Sequence, residues 1–268
     1  MKKALFWIIA VLITIAAAMY QRMTGPTYPE KASVNVEGTQ YDIRLKRSQT
    51  NTRPCKISLD IPGAITGKIY YRRFRTDEEW TASDMQRDGS SLVGELPSQP
   101  AAGKLEYFIT LATPSGNEIP IKRDKPIVIR FKGDVPAFVM IPHILIMFLA
   151  MLLSNLAGLT AAFGRDEQRK QGRWAMWLLL AGGMILGPLV QKYAFGELWT
   201  GIPFGWDLTD NKTLIAIIGW IIAVVMNRKR ARPAYTIAAA ILLLLVYSIP
   251  HSLFGSQLDY ATGAVTQG

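Results

Sequence analysis

Hydrophobic positions along this chain follow two different rhythms. Five stretches, 4–19, 136–163, 174–191, 213–226 and 234–250, are almost continuously apolar and hold almost no charge. Between the first two, apolar and polar residues alternate. Tyr41, Ile43 and Leu45 alternate with Asp42, Arg44 and Lys46, and Ile57, Leu59 and Ile61 with Lys56, Ser58 and Asp60. Leu105, Tyr107, Ile109 and Leu111 repeat the period, as do Ile127, Ile129 and Phe131, while Ile69-Tyr70-Tyr71 and Leu92-Val93 add shorter runs. Crossing ~30 Å of hydrocarbon takes about 20 residues, and lipid cannot satisfy an open backbone, so the continuous stretches predict membrane helices. Period two predicts strands with one buried and one wet face. Turn signals at Pro62-Gly63, Asp88-Gly89, Pro97 to Pro100 and Pro114-Ser115-Gly116 separate the runs. About seven short strands in ~100 residues fit a β-sandwich. The predicted fold class is an α-helical membrane bundle, an N-terminal anchor plus four transmembrane helices, with an inserted all-β sandwich. Its expected boundaries are an N-terminal anchor or signal peptide at 1–20, an extracytoplasmic β-sandwich at 21–134, a four-helix bundle at 135–252 and an extracytoplasmic tail at 253–268.

Composition sharpens this division. The 268 residues include 30 Lys/Arg and 20 Asp/Glu, and 18 and 14 of these lie within 20–135. Such segregation excludes a single soluble globule, a fibrous chain and a disordered chain. Charge also sets a direction. Lys2 and Lys3, the loop 164–173 with Arg165, Arg169, Lys170 and Arg173, and the loop 227–233 with Arg228, Lys229, Arg230 and Arg232 lie on one side. The short segments on the other side hold only Lys192 and Lys212. The positive-inside rule makes the N-terminus and both basic loops cytoplasmic, and residues 21–134 and the C-terminus extracytoplasmic. In a bacterium this is the inner membrane. Basic loops there mean orientation and contact with anionic lipid, so the net charge of +10 does not imply a nucleic-acid partner. The first stretch, Met1-Lys2-Lys3 and then 16 apolar residues, reads as an uncleaved anchor with Trp7 and Tyr20 at the interfaces, or as a signal peptide cleaved near Ala16-Ala17-Ala18. Cys55 is the single cysteine, which excludes an intrachain disulfide and any Cys-based zinc motif.

Candidate chemistry gathers at the extracytoplasmic end of the bundle. His143 and His251 are the only histidines, and both follow Ile-Pro. Counting ~1.5 Å per residue from the cytoplasmic ends puts both imidazoles at similar depth. Together they suit a b-type haem, or with carboxylates a transition metal; otherwise each is an interfacial hydrogen-bonded residue. Gln191, Glu197, Asp207, Asp210, Lys212 and Asp259 are candidates to line such a site. Asp207, Thr209 or Asp210 is also placed to cap the fourth span. Capping accounts for one or two polar residues and not for the whole run Asp207 to Thr213. Gly183 and Gly187 form a GxxxG that predicts close helix approach within the bundle. Ser154-Asn155 predicts an interhelical hydrogen bond. Arg72-Arg73-x-Arg75 is either an anion-binding cluster or a solvated strand edge. No charge sits midway in a span, which argues against an ion-coupled transporter.

Two resemblances add to this reading. The run from Trp80 through Asp88-Gly89, Leu96 to Pro100 and Leu105 to Ile109, ending at Ser115-Gly116, resembles immunoglobulin-like and fibronectin type III-like modules. It implies an immunoglobulin-like sandwich, and no activity. The segments Gly187 to Gly196, Pro203 to Thr213 and Ile249-Pro250-His251-Ser252 resemble a family of uncharacterised bacterial multi-pass inner-membrane proteins, which carries no activity over to these residues. Two functions follow as expectations. One is a non-enzymatic membrane protein whose β-sandwich binds or positions a membrane protein partner within a complex. The other is a haem or metal redox protein using His143 and His251.

Overall fold

The computed structural model describes residues 3–251 and 253–267. Met1-Lys2 of the N-terminal basic region, and Ser252 at the end of the second Ile-Pro-His motif, lie outside the described residues. The chain divides into two compact units. One comprises residues 1–26, 135–256 and 267–268, and the other 27–134 and 257–266. Residues 257–266, expected as part of a tail, therefore belong with the β-rich unit.

In the helical unit, α1 spans Lys3–Thr24, α2 Ala137–Ala162 and α3 Glu167–Leu179. A π-helical stretch, Leu180–Leu186, carries α3 into α4, Gly187–Phe195; α5 is Leu208–Met226 and α6 is Pro233–Ser248. Among the described residues, four helices are long and apolar enough to cross a membrane: α1, α2, the continuous rod 167–195, and α5; α6 is a shorter apolar helix. The fourth apolar stretch begins earlier than hydropathy indicates, at Leu208, because Asp207 caps it.

The helices meet through small side chains. Their core holds Ala150, Ala157, Ala175, Ala216, Ala223, Ala239 and Ala240 around Trp220, while Leu12, Leu145, Ile185, Val225 and Leu245 point outward. Alanine inside and large apolar groups outside suit an apolar solvent such as lipid. Glycines bring the helices closer still. A Cβ on Gly158 would sit 2.7 Å from Ala240 Cβ, one on Gly183 2.7 Å from Thr213 Cγ2, and one on Gly172 2.7 Å from the Trp220 ring. Gly187 is looser, with His143 Cε1 3.9 Å from such a Cβ. α1 buries Phe6, Ala10, Thr14 and Ala17, and Phe6 and Ala10 share a cluster with Leu156 of α2. Asn155 Nδ2 donates to Thr14 Oγ1 at 3.0 Å, and Thr14 Oγ1 donates to Ala10 O at 2.7 Å.

In the β-rich unit the strands run β1 Glu30–Val36, β2 Thr39–Leu45, β3 Ser48–Thr50, β4 Cys55–Asp60, β5 Thr66–Arg73, β6 Thr81–Asp84 and β7 Gln86–Asp88. Then come β8 Ser91–Leu96, β9 Lys104–Ala112, β10 Glu118–Ile121 and β11 Ile127–Lys132. β1 and β2 form a hairpin whose Glu37-Gly38 turn has φ of 50° and 85°, the left-handed geometry that a tight two-residue hairpin requires. The largest sheet has the order β3-β11-β9-β5-β6, with β10 on the far half of β9, and a second sheet has the order β4-β8-β7. Alternation does what it predicts: Cys55, Ile57 and Leu59 are buried while Lys56, Ser58 and Asp60 are exposed. The buried residues of the β1-β2 hairpin and of both sheets join in one apolar core around Tyr107, Phe131 and Ile69. Near the C-terminus, β12 Ser256–Leu258 pairs with β13 Val265–Gln267.

Candidate functional site

The two Ile-Pro-His tripeptides fold differently. The first lies within α2, which runs on through Pro142. The second follows α6, which stops at Ser248 because Pro250 disfavours helical backbone at Ile249. His143 Nδ1 is 3.0 Å from the carbonyl oxygen of Gly182, in the π-helical stretch. A carbonyl only accepts, so this ring donates from Nδ1 and keeps its lone pair on Nε2. His251 Nδ1 is 2.9 Å from Gln21 Nε2 and 3.1 Å from Lys212 Nζ. Both partners are donors, so Nδ1 accepts and the proton sits on Nε2. A metal-bound histidine normally donates its second ring N–H to an acceptor. His143 has that arrangement and His251 the reverse. Among the described residues no group of three or more His, Cys, Asp or Glu is placed to hold a metal ion.

Lys212, only 1% exposed, organises this end of the helical unit. Its Nζ donates to Ile249 O at 2.7 Å, meets His251 Nδ1, and lies 5.7 Å from the centre of the Tyr247 ring. A carbonyl, an imidazole nitrogen and an aromatic face thus stand around the ammonium. Gln21 Nε2 also donates to Tyr247 O at 2.7 Å, tying α1 to the end of α6. Thr213 Oγ1 donates to Thr209 O at 2.9 Å and is 3.2 Å from the Tyr247 hydroxyl.

The run Asp207 to Thr213 is used residue by residue. Asp207 Oδ1 accepts from Thr209 N and Asp210 N at 2.8 and 3.3 Å. Its other oxygen accepts from Ser256 N and Ser256 Oγ at 3.1 and 3.2 Å. Asp210 Oδ2 accepts from Thr200 N at 2.7 Å, and Gln191 Nε2 donates to Thr200 Oγ1 at 2.6 Å. Asn211 Oδ1 accepts from Ile202 N at 2.8 Å. The loop between α4 and α5 is therefore folded onto the start of α5 by carboxylates and amides that each meet backbone donors. Glu197 is exposed on that loop. Asp259 belongs to the β-rich unit, where it accepts from Ala261 N at 2.9 Å within a turn.

Sequence reasoning singled out Gln191, Asp207, Asp210, Lys212 and His251, and it missed Gln21, Thr200, Tyr247 and Ser256. Gln21 carried a signal, as an amide just past an apolar run. A second polar network was also missed. Gln168 Nε2 donates to Asn227 Oδ1 at 3.2 Å, Thr236 Oγ1 donates to Gln168 Oε1, and Asn227 Oδ1 accepts from Arg232 N at 2.8 Å. It ties α3, α5 and α6 together at their basic-loop ends.

The β-rich unit carries a different kind of surface. On the face of β5 and β9 turned from the core, Tyr70 stacks on Phe108 at 4.7 Å and Trp80 meets Phe108 edge-on at 4.8 Å. Arg72 lies 4.5 Å above the Trp80 ring and bonds Glu106 at 2.6 Å. Arg73 bonds Glu78 at 3.2 Å and covers the Tyr260 ring at 4.9 Å. Arg75 covers Phe74 at 5.2 Å. Each arginine of the cluster thus lies over an aromatic ring, while Arg73 and Arg75 remain exposed.

No protein-family model and no curated protein matches the chain.

Proposed function

We propose that this chain is a non-enzymatic membrane protein of the bacterial inner membrane. Its helical unit is the anchor, and its β-rich unit is an extracytoplasmic immunoglobulin-like sandwich that holds a protein partner in a membrane complex. One observation carries the reading. The polar groups at the bundle's candidate site are spent on the chain's own loops and ends, whereas Tyr70, Trp80 and Arg72 form an aromatic and cationic array outside any core. Aromatic and Arg side chains are the groups that dominate protein interfaces. The basic loops 164–173 and 227–233 support the orientation.

A photo-crosslinking residue at position 70 or 80, activated in intact cells, tests it. A discrete higher-mass adduct is the expected result, and none from either position overturns the reading. The competing reading, haem or a transition metal between His143 and His251, has one observation in its favour: the Nδ1–H bond from His143 to Gly182 O. It requires His251 to surrender both Lys212 and Gln21.

A further inference from the structure

Lys104 and Arg130 stand directly opposite each other in the antiparallel β9–β11 pair. Both are nearly buried, at 8% and 7% exposure. Side chains so placed have Cβ atoms roughly 4.5–5.5 Å apart, and like charges there destabilise a sheet. Removing each cation from water adds a further cost. Arg130 has contacts of its own. Among the described residues, no carboxylate forms an ion pair with Lys104. Its ammonium donates to the neutral Gln257 Oε1 at 2.8 Å and lies 5.5 Å from the Phe74 ring. The groups acting on its charge are Arg130 and Arg75.

The cover over this lysine comes from the C-terminal segment. Leu258 N donates to Ala102 O at 3.0 Å. The Tyr260 hydroxyl donates to Lys104 O at 2.9 Å and lies 3.1 Å from Gln99 Oε1, and Arg73 lies over its ring. The carboxylate in this segment, Asp259, is turned into its own loop. The segment thus offers the ammonium one carboxamide dipole where a full negative charge would fit. Charge-assisted hydrogen bonds to an anion are about twice as strong as neutral ones.

We propose that Lys104, with Arg130 opposite it, forms a binding site for a small oxyanion, a phosphate, sulfate or carboxylate group, closed by the C-terminal segment with Gln257 Oε1 in the place of a ligand oxygen. An anion enters by displacing Gln257, so binding opens the segment. Desolvation, then Arg130 and Arg75, lower the Lys104 pKa to about 7, and the ammonium form binds. The inference stands apart from the membrane-complex reading, since a partner on the Trp80 face is not needed for it.

Equilibrium dialysis of radiolabelled sulfate against the full chain in detergent tests it, because sulfate keeps its charge across the pH range used. Saturable binding is expected that chloride does not compete away and unlabelled phosphate or acetate does. Affinity should fall about fiftyfold from pH 7 to 9 as the ammonium is lost. Lys104→Met should abolish binding. Gln257→Ala, which removes the internal competitor, should tighten it. Gln257→Glu should abolish it and slow proteolysis of the C-terminal segment, because the new carboxylate fills the site from within. Wild-type protein that binds no sulfate at pH 7, or binding indifferent to both Lys104→Met and pH, overturns the proposal. The Gln257 variants keep it falsifiable should Lys104→Met fail to fold.

Discussion

Asp207 holds two parts of the helical unit with its two oxygens, and the parts can be separated. One oxygen caps α5 through Thr209 N and Asp210 N; the other clamps Ser256 through its amide and hydroxyl. Asp207→Ser keeps a capping oxygen of similar strength but is too short to reach Ser256; Asp207→Ala loses both. Cap loss costs about 1 kcal/mol. Leaving the buried Ser256 N–H without an acceptor costs roughly 1–3 kcal/mol. Amide hydrogen exchange in detergent, read by mass spectrometry, reports both. Because 1.4 kcal/mol is tenfold, the Ser256 amide should exchange roughly five- to a hundredfold faster in both variants. The first amides of α5 should speed up, about fivefold, in Asp207→Ala alone. Unchanged exchange at Ser256 would refute the claim that Asp207 is spent on closing the chain. Equal loosening of α5 in both variants would refute the separation of cap from clamp.

Three further outcomes follow from the same geometry. Purified protein should show no Soret band and no stoichiometric transition metal; a Soret band lost in both His143→Ala and His251→Ala would reverse the functional conclusion. Lys104 has a folded pKa of about 7, below the ~10.4 of a free lysine. The unfolded chain therefore binds more protons between these values, so the β-rich unit should gain stability as pH rises from 7 towards 10. The limiting slope is about 1.4 kcal/mol per pH unit, and alkaline melting curves should lose it in Lys104→Met. Gly158→Ala brings a methyl to within 2.7 Å of Ala240 Cβ; it should destabilise the helical unit by about 1–3 kcal/mol, measured by SDS titration, and a stabilised variant would contradict the close α2–α6 crossing.

The elements legible in the sequence were those whose signal is local. Ile57 and Leu59 face inward while Lys56 and Ser58 face water because the strand period is two whatever its neighbours are. The apolar runs became helices because their length and lack of charge leave little alternative. Gly183 was readable as a close approach, though Thr213 as its neighbour was not, since a GxxxG does not say which helix it meets. His143 and His251 show the limit of motif reading. The tripeptide is identical, yet one is helical and donates while the other follows a helix end and accepts. What separates them is the residue across the bundle, Gly182 in one case and Lys212 with Gln21 in the other. That information is long-range. The same holds for Lys104 and Arg130, whose opposition depends on the β9–β11 register.

The polar run at the start of α5 is instructive because its density invited a functional explanation. A loop folded against the end of an apolar bundle must still satisfy its backbone donors wherever they turn from water. Each turn that carries an N–H inward then needs an acceptor from the neighbouring helix. Thr200 N meets Asp210, Ile202 N meets Asn211, and Ser256 N meets Asp207. Lys212 performs the complementary task for Ile249 O, a carbonyl outside the α6 ladder because the residue before Pro250 is extended. The polar residues therefore number roughly as many as the loop and chain-end backbone groups that come inward, and no ligand is required to account for them. The same accounting makes Lys104 stand out. Among the described residues its ammonium meets one neutral oxygen and the face of Phe74, and no carboxylate offsets the burial of its charge.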